Sequence, residues 1–369
     1  MKIGITGAYG FLGANVVSQC LRQNHEVVAF SSKTAVHPLF DNSQVEVRTL
    51  DILDAHSVRN ACRGLDAVIH LAGAVDFLAS RRRRVWDINV LGSANLYDAV
   101  LSLGISKLVD TSSITALGPS PDGRLMDEAS GNPYQKLNPI LFADAKEALA
   151  AVDSSMRGDY GFLTRSRLMY FDSKLAATEL SRRYAQHRGL PVIRIFPGTA
   201  VGPGDLHYSI SQLVDSVWQG KLGMTYPGGT AFMDSRDFAR GVVLALDRGT
   251  PGDEYILAGK PEDNLSYVDF MTLIASTARS GGSLAAKKRP PVVLPAIVAR
   301  PASRLLEKLA PGLGLTYGMS LSACIHHRFS SAKAMRELGY SPDTALTDSI
   351  NACREFSLRF HGLTLKHGD

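Results

Sequence analysis

The chain has 369 residues, a formal net charge of +5, 45% hydrophobic and 20% charged residues. This is the composition of an ordinary globular protein, long enough for one large α/β domain alone or with an appended lobe. The charge is modest and spread along the chain, which argues against a nucleic-acid binder, and no apolar run approaches the ~20 residues of a membrane-spanning helix.

In chain order, the opening MKIGITGAYGFLG sets a short apolar strand (IGIT, 3–6) directly before Gly7, Gly10 and Gly13, with Phe11 and Leu12 between the last two. Residues 14–23 follow with helical character. Strand, tight turn and helix in that order predict a nucleotide site. Gly7 lets the chain turn sharply, Gly10 lets backbone approach a pyrophosphate, and Gly13 lets the helix pack closely on the strand. Further strands are expected at 26–30, 45–50, 66–72, 107–113, 191–197 and 254–259, and helices at 55–63, 85–103, 172–188 and 237–248. Asp54 and Asp237 stand where N-caps belong. The alternation predicts a Rossmann-type, doubly wound parallel sheet with a smaller, mostly helical C-terminal lobe. We expect a dinucleotide-binding unit over 1–200, and a substrate lobe over 201–369 from which 237–259 returns to the first unit. Residues 119–168 break the rhythm and contain a helix-like stretch at 139–156. The proline-punctuated tail RPPVVLPAIVARPASRLLEKL (289–309) either walls a lipophilic pocket or packs as an ordinary helix.

Two stretches carry chemistry. In YFDSK (170–174), Tyr170 and Lys174 are four apart and share a helix face. A nearby ammonium favours the phenolate and lowers the phenol pKa, which suits Tyr170 to proton exchange with a carbonyl or alcohol oxygen. TSS (111–113) ends an expected strand, where a serine hydroxyl holds the same oxygen against the tyrosine.

With GAYGFLG (7–13), HLAG (70–73), NVLGSAN (89–95), TSSITALG (111–118), YFDSK (170–174), RIFPGTAVGPGD (194–205) and SRDFARGVVLAL (235–246), the chain resembles the extended short-chain dehydrogenases/reductases over roughly residues 1–260. The motif style is similar to the dihydroflavonol-reductase and 3β-hydroxysteroid-dehydrogenase branch. G-x-x-G-x-x-G is that family's own glycine spacing. The resemblance implies that Ser113, five before Gly118, rather than Ser112, is the catalytic serine, and that Tyr170 is the general acid/base. Lys174 would bind the nicotinamide ribose and tune the tyrosine. Asp51 and Ile52 would flank the adenine; Leu71, Ala72 and Gly73 would pass under the dinucleotide; Pro197, Gly198 and Thr199 would lie beside the nicotinamide. Asn89 takes the family's helix asparagine, structural or catalytic.

An NAD site usually carries a carboxylate at the end of the second strand for the ribose 2′-OH. That position falls at Ser31, followed by Ser32 and Lys33, with no acid before Asp41; these three suit a 2′-phosphate. NADP(H) is therefore favoured over NAD(H). The expected activity is reduction of a ketone or aldehyde, or the reverse oxidation, on a lipophilic small molecule. The rivals are a nucleotide-sugar epimerase or dehydratase and a non-enzymatic dinucleotide sensor. Ser113 and Tyr170 are 57 residues apart, more than in the relatives, so 119–168 carries an insertion expected to be a lid, a pocket wall or a dimer contact. Arg81 to Arg84 form either a solvated edge or an anion-attracting mouth. The four dispersed cysteines read as reduced thiols of a cytoplasmic protein, the histidines lack metal-ligand clustering, and a homodimer is possible on resemblance alone.

Overall fold

The computed structural model describes residues 1–32, 36–78, 81–130, 169–286, 289–309 and 316–361. Strands β1 (Lys2–Thr6), β2 (Glu26–Ser31), β3 (Val45–Thr49), β4 (Ala67–His70), β5 (Lys107–Thr111) and β6 (Val192–Pro197) are followed by β7 (Thr199–Val201), β8 (Met224–Thr225), β9 (Gly229–Asp234) and β10 (Glu254–Leu257). Then come β11 (Asn264–Ser266), β12 (Val292–Val293) and β13 (His326–His327). The large sheet is parallel throughout, in the order β10-β6-β5-β4-β1-β2-β3. Its winding reverses between β1 and β4, so the crevice for a ligand opens at the carboxyl ends of those two strands.

These strands read as nearly continuous apolar runs because helices cover both faces. Alternate residues serve opposite cores: Val27 and Ala29 pack with Val16 and Val17 of helix Phe11–Arg22 and Val242 of helix Ser235–Arg248. Val28 and Phe30 pack on the other side with Leu96 and Val100 of helix Gly92–Leu103 and Leu180 of helix Met169–Arg188. Helix Ser235–Arg248 thus covers the same face as the first helix, although it lies far away in sequence.

Several boundaries differ from expectation. The first helix starts at Phe11, not at residue 14, because Gly10 is extended (φ −84°, ψ 171°) and serves as the N-cap. The helix expected over 85–103 is Arg82–Trp86 and Gly92–Leu103 joined by one wide π-turn, Asp87–Leu91. Asp54 caps helix Ala55–Ala61 as expected, accepting from the His56 N–H at 2.9 Å. Asp237 does not cap its helix. Asp234, at the end of β9, accepts from the Arg236 and Asp237 N–H groups, while the Asp237 carboxylate takes Thr344 instead.

β9 was not foreseen. It is the centre of a second small sheet, parallel to β7 and β13 and antiparallel to β11. Neighbours of two or three residues are too short to leave a periodic signal. The start of the 119–168 segment is stitched to the C-terminal part. Ser120 Oγ exchanges bonds with the Arg328 backbone, Met126 bridges Phe329, and Glu128 accepts from the Ile256 N–H at 2.7 Å. The helix expected at 139–156 lies outside the described residues. Cys20, Cys62, Cys324 and Cys353 are all free thiols.

Candidate active site

The nucleotide cradle follows from the three glycines. Gly7 has φ +68°, and its carbonyl accepts from Gly10 N–H at 2.9 Å. A Cβ at Gly13 would sit 2.0 Å from that carbonyl oxygen, so only glycine lets the helix come so near the loop. The helix opens without a side-chain cap and without an acid in its first turn. Its N–H groups and dipole therefore face the crevice, an arrangement that fits a pyrophosphate.

Thr6, the last residue of β1, organises the next strap. Its Oγ1 accepts from the Leu71 and Ala72 N–H groups at 3.1 and 3.0 Å and lies 2.7 Å from His70 Nδ1. With two bonds accepted, the hydroxyl donates its own proton to Nδ1, so the neutral ring carries its proton on Nε2, 3.0 Å from Ser93 Oγ. Burial keeps His70 neutral, lowering its pKa to about 4. Ser93 donates on to the Asn89 carbonyl at 2.7 Å. Asn89 spends its whole amide on structure: it holds the Ala74 backbone in both directions at 2.7 and 3.0 Å and donates to Ser173 Oγ at 2.9 Å.

Ser173 lies between Tyr170 and Lys174 and donates to the Tyr170 carbonyl at 2.8 Å. Lys174 Nζ donates to the Thr111 carbonyl at 3.1 Å and stands 3.3 Å from where a Cβ on Gly73 would be. Burial lowers the Lys174 pKa, and the buried Asp110 carboxylate on β5 pulls it back up. Asp110 itself accepts from Tyr97 Oη at 2.6 Å. Sequence reasoning missed Thr6, His70, Ser93 and Asp110; the polar residues inside otherwise apolar strands were the available signal.

Ser113 caps a short 3₁₀ turn, Ile114–Leu117, and accepts from the Thr115 N–H and hydroxyl at 3.2 and 2.9 Å. Ser112 is turned away into a buried 2.6 Å bond with Thr178. Of the two serines, Ser113 is the one that acts on Tyr170, drawing the phenol pKa down. The net shift of Tyr170 is nevertheless upward, because burial dominates. Lys174 itself is bonded to the Thr111 carbonyl. Around Tyr170 stand Phe77 and Phe171, with ring centroids 5.9 and 6.0 Å away, and Tyr317 and Leu321 join the same cluster.

The remaining expected cofactor residues fall along the same carboxyl edge. Pro197 ends β6, Gly198 donates to the Leu257 carbonyl at 2.9 Å, and the Thr199 and Thr230 hydroxyls are 3.0 Å apart. On the other side, Asp51 is exposed and accepts from Leu53 N–H, while the Ile52 side chain packs against Gly92. Ser31 closes β2 and Ser32 follows it; Lys33 lies outside the described residues. Of the arginine run, Arg81 pairs with Asp76 at 3.0 Å and Arg83 with Asp87 at 2.8 Å, which supports a solvated edge. The tail helix Ala296–Leu309 lines an open cavity with Pro301, Leu305 and the cations Arg300, Arg304 and Lys308, closed on one side by Tyr317 of the Tyr170 cluster, while Ile297, Val298 and Leu309 point to solvent. Among the described residues no group of three or more potential ligands could hold a metal, and no helix is long and apolar enough to cross a membrane.

A dinucleotide cradle and a Ser–Tyr–Lys set on a seven-stranded parallel sheet define an NAD(P)-dependent enzyme of the extended short-chain dehydrogenase/reductase type. The chain belongs to the NAD dependent epimerase/dehydratase family, whose profile matches residues 3–162 and 135–258; the relatives it is similar to include a putative dihydroflavonol 4-reductase of Synechocystis, 26% identical over 359 residues, covering 94% of this chain and 93% of the other. It is 28% identical over 257 residues to sterol demethylase protein B of Methylococcus capsulatus, covering 69% of each chain. It is 23% identical over 379 residues to a 3-beta-hydroxysteroid dehydrogenase of Mycolicibacterium neoaurum, covering 95% of this chain and 90% of the other. The crystal structure of gox2253 superposes with a TM-score of 0.72 at 26% identity, covering 98% of each chain.

Proposed function

We propose that the protein is an NADPH-dependent reductase of a ketone or aldehyde on a lipophilic small molecule, able to run in reverse as an alcohol dehydrogenase. The observation that carries this reading is that the Ser113 side chain acts on the Tyr170 phenol, drawing its pKa down, while Lys174, one helix turn on, reaches the strap at Gly73 and the end of β5 at Thr111. When bound, the nicotinamide supplies a hydride. The chain's own residues do the rest. Ser113 and Tyr170 hold the substrate oxygen between two hydroxyls, and Tyr170 gives its proton to that oxygen as negative charge develops there. The resulting phenolate is stabilised by the Ser113 hydroxyl and by the Lys174 ammonium. Phe77, Phe171, Tyr317 and Leu321 exclude water from this corner and offer an apolar wall.

Support for NADPH comes from Ser31 and Ser32 at the end of β2, where an NAD enzyme would place a carboxylate. Support for a lipophilic substrate comes from the apolar wall and from the sterol and steroid names borne by two of the relatives. The test is to denature the purified protein, identify any released nucleotide, and titrate the stripped protein with NADPH and NADH. About tenfold tighter NADPH binding, or 1.4 kcal/mol, and no carried nucleotide are expected. Stoichiometric NAD would replace this reading with a self-recycling epimerase or dehydratase. In the reductase assay Tyr170→Phe should lower turnover by about 10²–10⁴-fold with NADPH affinity unchanged.

A further inference from the structure

The helix Ala296–Leu309 rests on the protein through Ala299 and Ser303 and leaves much of its circumference in solvent. That outer surface is divided by chemistry. Ile297 (84% exposed), Val298 (54%), Leu305 (57%) and Leu309 (74%) fall within roughly a 120° arc of the helix, by its 3.6-residue turn. Arg304 and Lys308, spaced four apart and exposed, line one edge of that arc, while Arg300, one turn earlier, is half-buried beside Cys324. Just ahead of the helix, Val292 and Val293 are also exposed, and Arg289 adds a further cation. Glu307 is the sole acid from Arg289 to Leu309. Its carboxylate is turned inward, accepting from the Tyr317 N–H at 2.9 Å. So many bare aliphatic side chains on one surface mark an interaction site, and a cationic edge beside them suits a partner that is both apolar and anionic.

The position of this face gives it a use. The helix packs on helix Tyr317–Ala323, with the Arg304 guanidinium 5.7 Å above the Tyr317 ring. The next residue of that second helix, Gly318, meets Phe77, whose carbonyl is 3.2 Å from where a Cβ on Gly318 would be. Phe77 in turn packs edge-on against Tyr170. One helix thus separates the aliphatic face from the candidate proton donor.

We propose that Ala296–Leu309 is an interfacial helix that docks the protein on an anionic lipid bilayer, with its aliphatic residues in the acyl boundary and Arg304 and Lys308 on lipid phosphates. Docking brings the Tyr170 side of the site to the membrane, where a lipophilic substrate is dissolved; this delivery role rests on the proposed function, the docking itself does not. The test is co-sedimentation of the full chain with phosphatidylcholine vesicles, with and without phosphatidylglycerol. Binding is expected with phosphatidylglycerol, weakened by added salt. It should fall by about tenfold or more in Arg304→Glu/Lys308→Glu and in Ile297→Asp/Leu305→Asp. Both double variants should keep the thermal midpoint and the NADPH affinity of the parent, because the four side chains are exposed. Failure to bind either vesicle, or undiminished binding by the variants, would overturn the proposal. So would a protein dimer that Ile297→Asp/Leu305→Asp splits, which would make this face a contact between two copies. A failed reductase assay with intact vesicle binding would remove the delivery role and leave the docking standing.

Discussion

Gly10 and Gly13 make different demands on the cradle, and alanine at each separates folding from nucleotide binding. At Gly13 the new Cβ would lie 2.0 Å from the Gly7 oxygen and 2.7 Å from its carbonyl carbon. A carbon and a carbonyl oxygen rest about 3.3 Å apart or more, so helix and loop must part by over an ångström. Overpacking on that scale costs about 1–3 kcal/mol, or about 1–4 °C in thermal midpoint for a chain of this size. At Gly10 the backbone is extended and open to any residue, and the new Cβ meets only the Gly7 oxygen, at 3.2 Å. A shift of a few tenths of an ångström relieves that contact, at a stability cost below about 1 kcal/mol. The methyl nevertheless stands at the mouth of the helix N-terminus, where the pyrophosphate must approach. Thermal scans without nucleotide and a fluorescence titration with NADPH read the two effects. Gly13→Ala should lose stability, whereas Gly10→Ala should keep it and bind NADPH about tenfold more weakly. Parent-like nucleotide affinity in Gly10→Ala would refute the cradle, and an unchanged midpoint in Gly13→Ala would refute the close-packing argument.

The two neighbouring serines should part in the same way: Ser113→Ala abolishes turnover at an unchanged midpoint, while Ser112→Ala loses the Thr178 bond, costs about 1 kcal/mol and stays active. The reverse pattern in kinetics and melting would reassign the pair. Asp110→Asn keeps an acceptor for Tyr97 but removes the carboxylate that raises Lys174. The lysine then titrates lower, so the alkaline limb of kcat/KM should move to lower pH; a limb that stays put would show that Asp110 acts only as a partner for Tyr97. His37, His70 and His327 are buried, and desolvation lowers each to about 4. Between that value and the ordinary 6.5 the unfolded chain binds protons that the folded one does not, so stability falls as pH drops through this window. The slope is about 1.4 kcal/mol per pH unit for each histidine. Urea midpoints at a series of pH values should show the fall, with His327→Gln shallower; a flat profile would refute it.

The large sheet and its crossover helices were legible because burial on both faces leaves continuous apolar runs, as in Val27, Val28 and Ala29. The Ser113–Tyr170–Lys174 set was legible because short spacings on one strand end and one helix survive in sequence. The second sheet was not: β7, β11 and β13 are two or three residues long, and pair only because β9 lies between them. The Asp237 cap failed for the same reason, since the end of β9 had already placed Asp234 at the helix start. The direction of the tail was also hidden. Its periodicity requires a helix with an apolar arc, but which part of the circumference meets the protein is decided by helix Tyr317–Ala323 and not by the stretch itself.

The two halves of the site are joined by polar groups that no motif announces. From the Thr6 hydroxyl the chain of hydrogen bonds runs through His70, Ser93 and Asn89 to Ser173 and ends on the Tyr170 carbonyl. Thr6 also pins Leu71 and Ala72, and Asn89 pins Ala74, so the strap after β4 is held at both ends by the network that holds the tyrosine helix. The π-turn at Asp87–Leu91 carries Asn89 to the point where it reaches strap and helix together. The offset between nucleotide and proton donor is therefore set by backbone and buried amide bonds, not by long flexible side chains. Such an arrangement fixes reacting groups at no entropic cost at the moment of reaction. It also explains why His70 must stay neutral: a second proton on the ring would remove the acceptor for the Thr6 hydroxyl and break the chain at its first link.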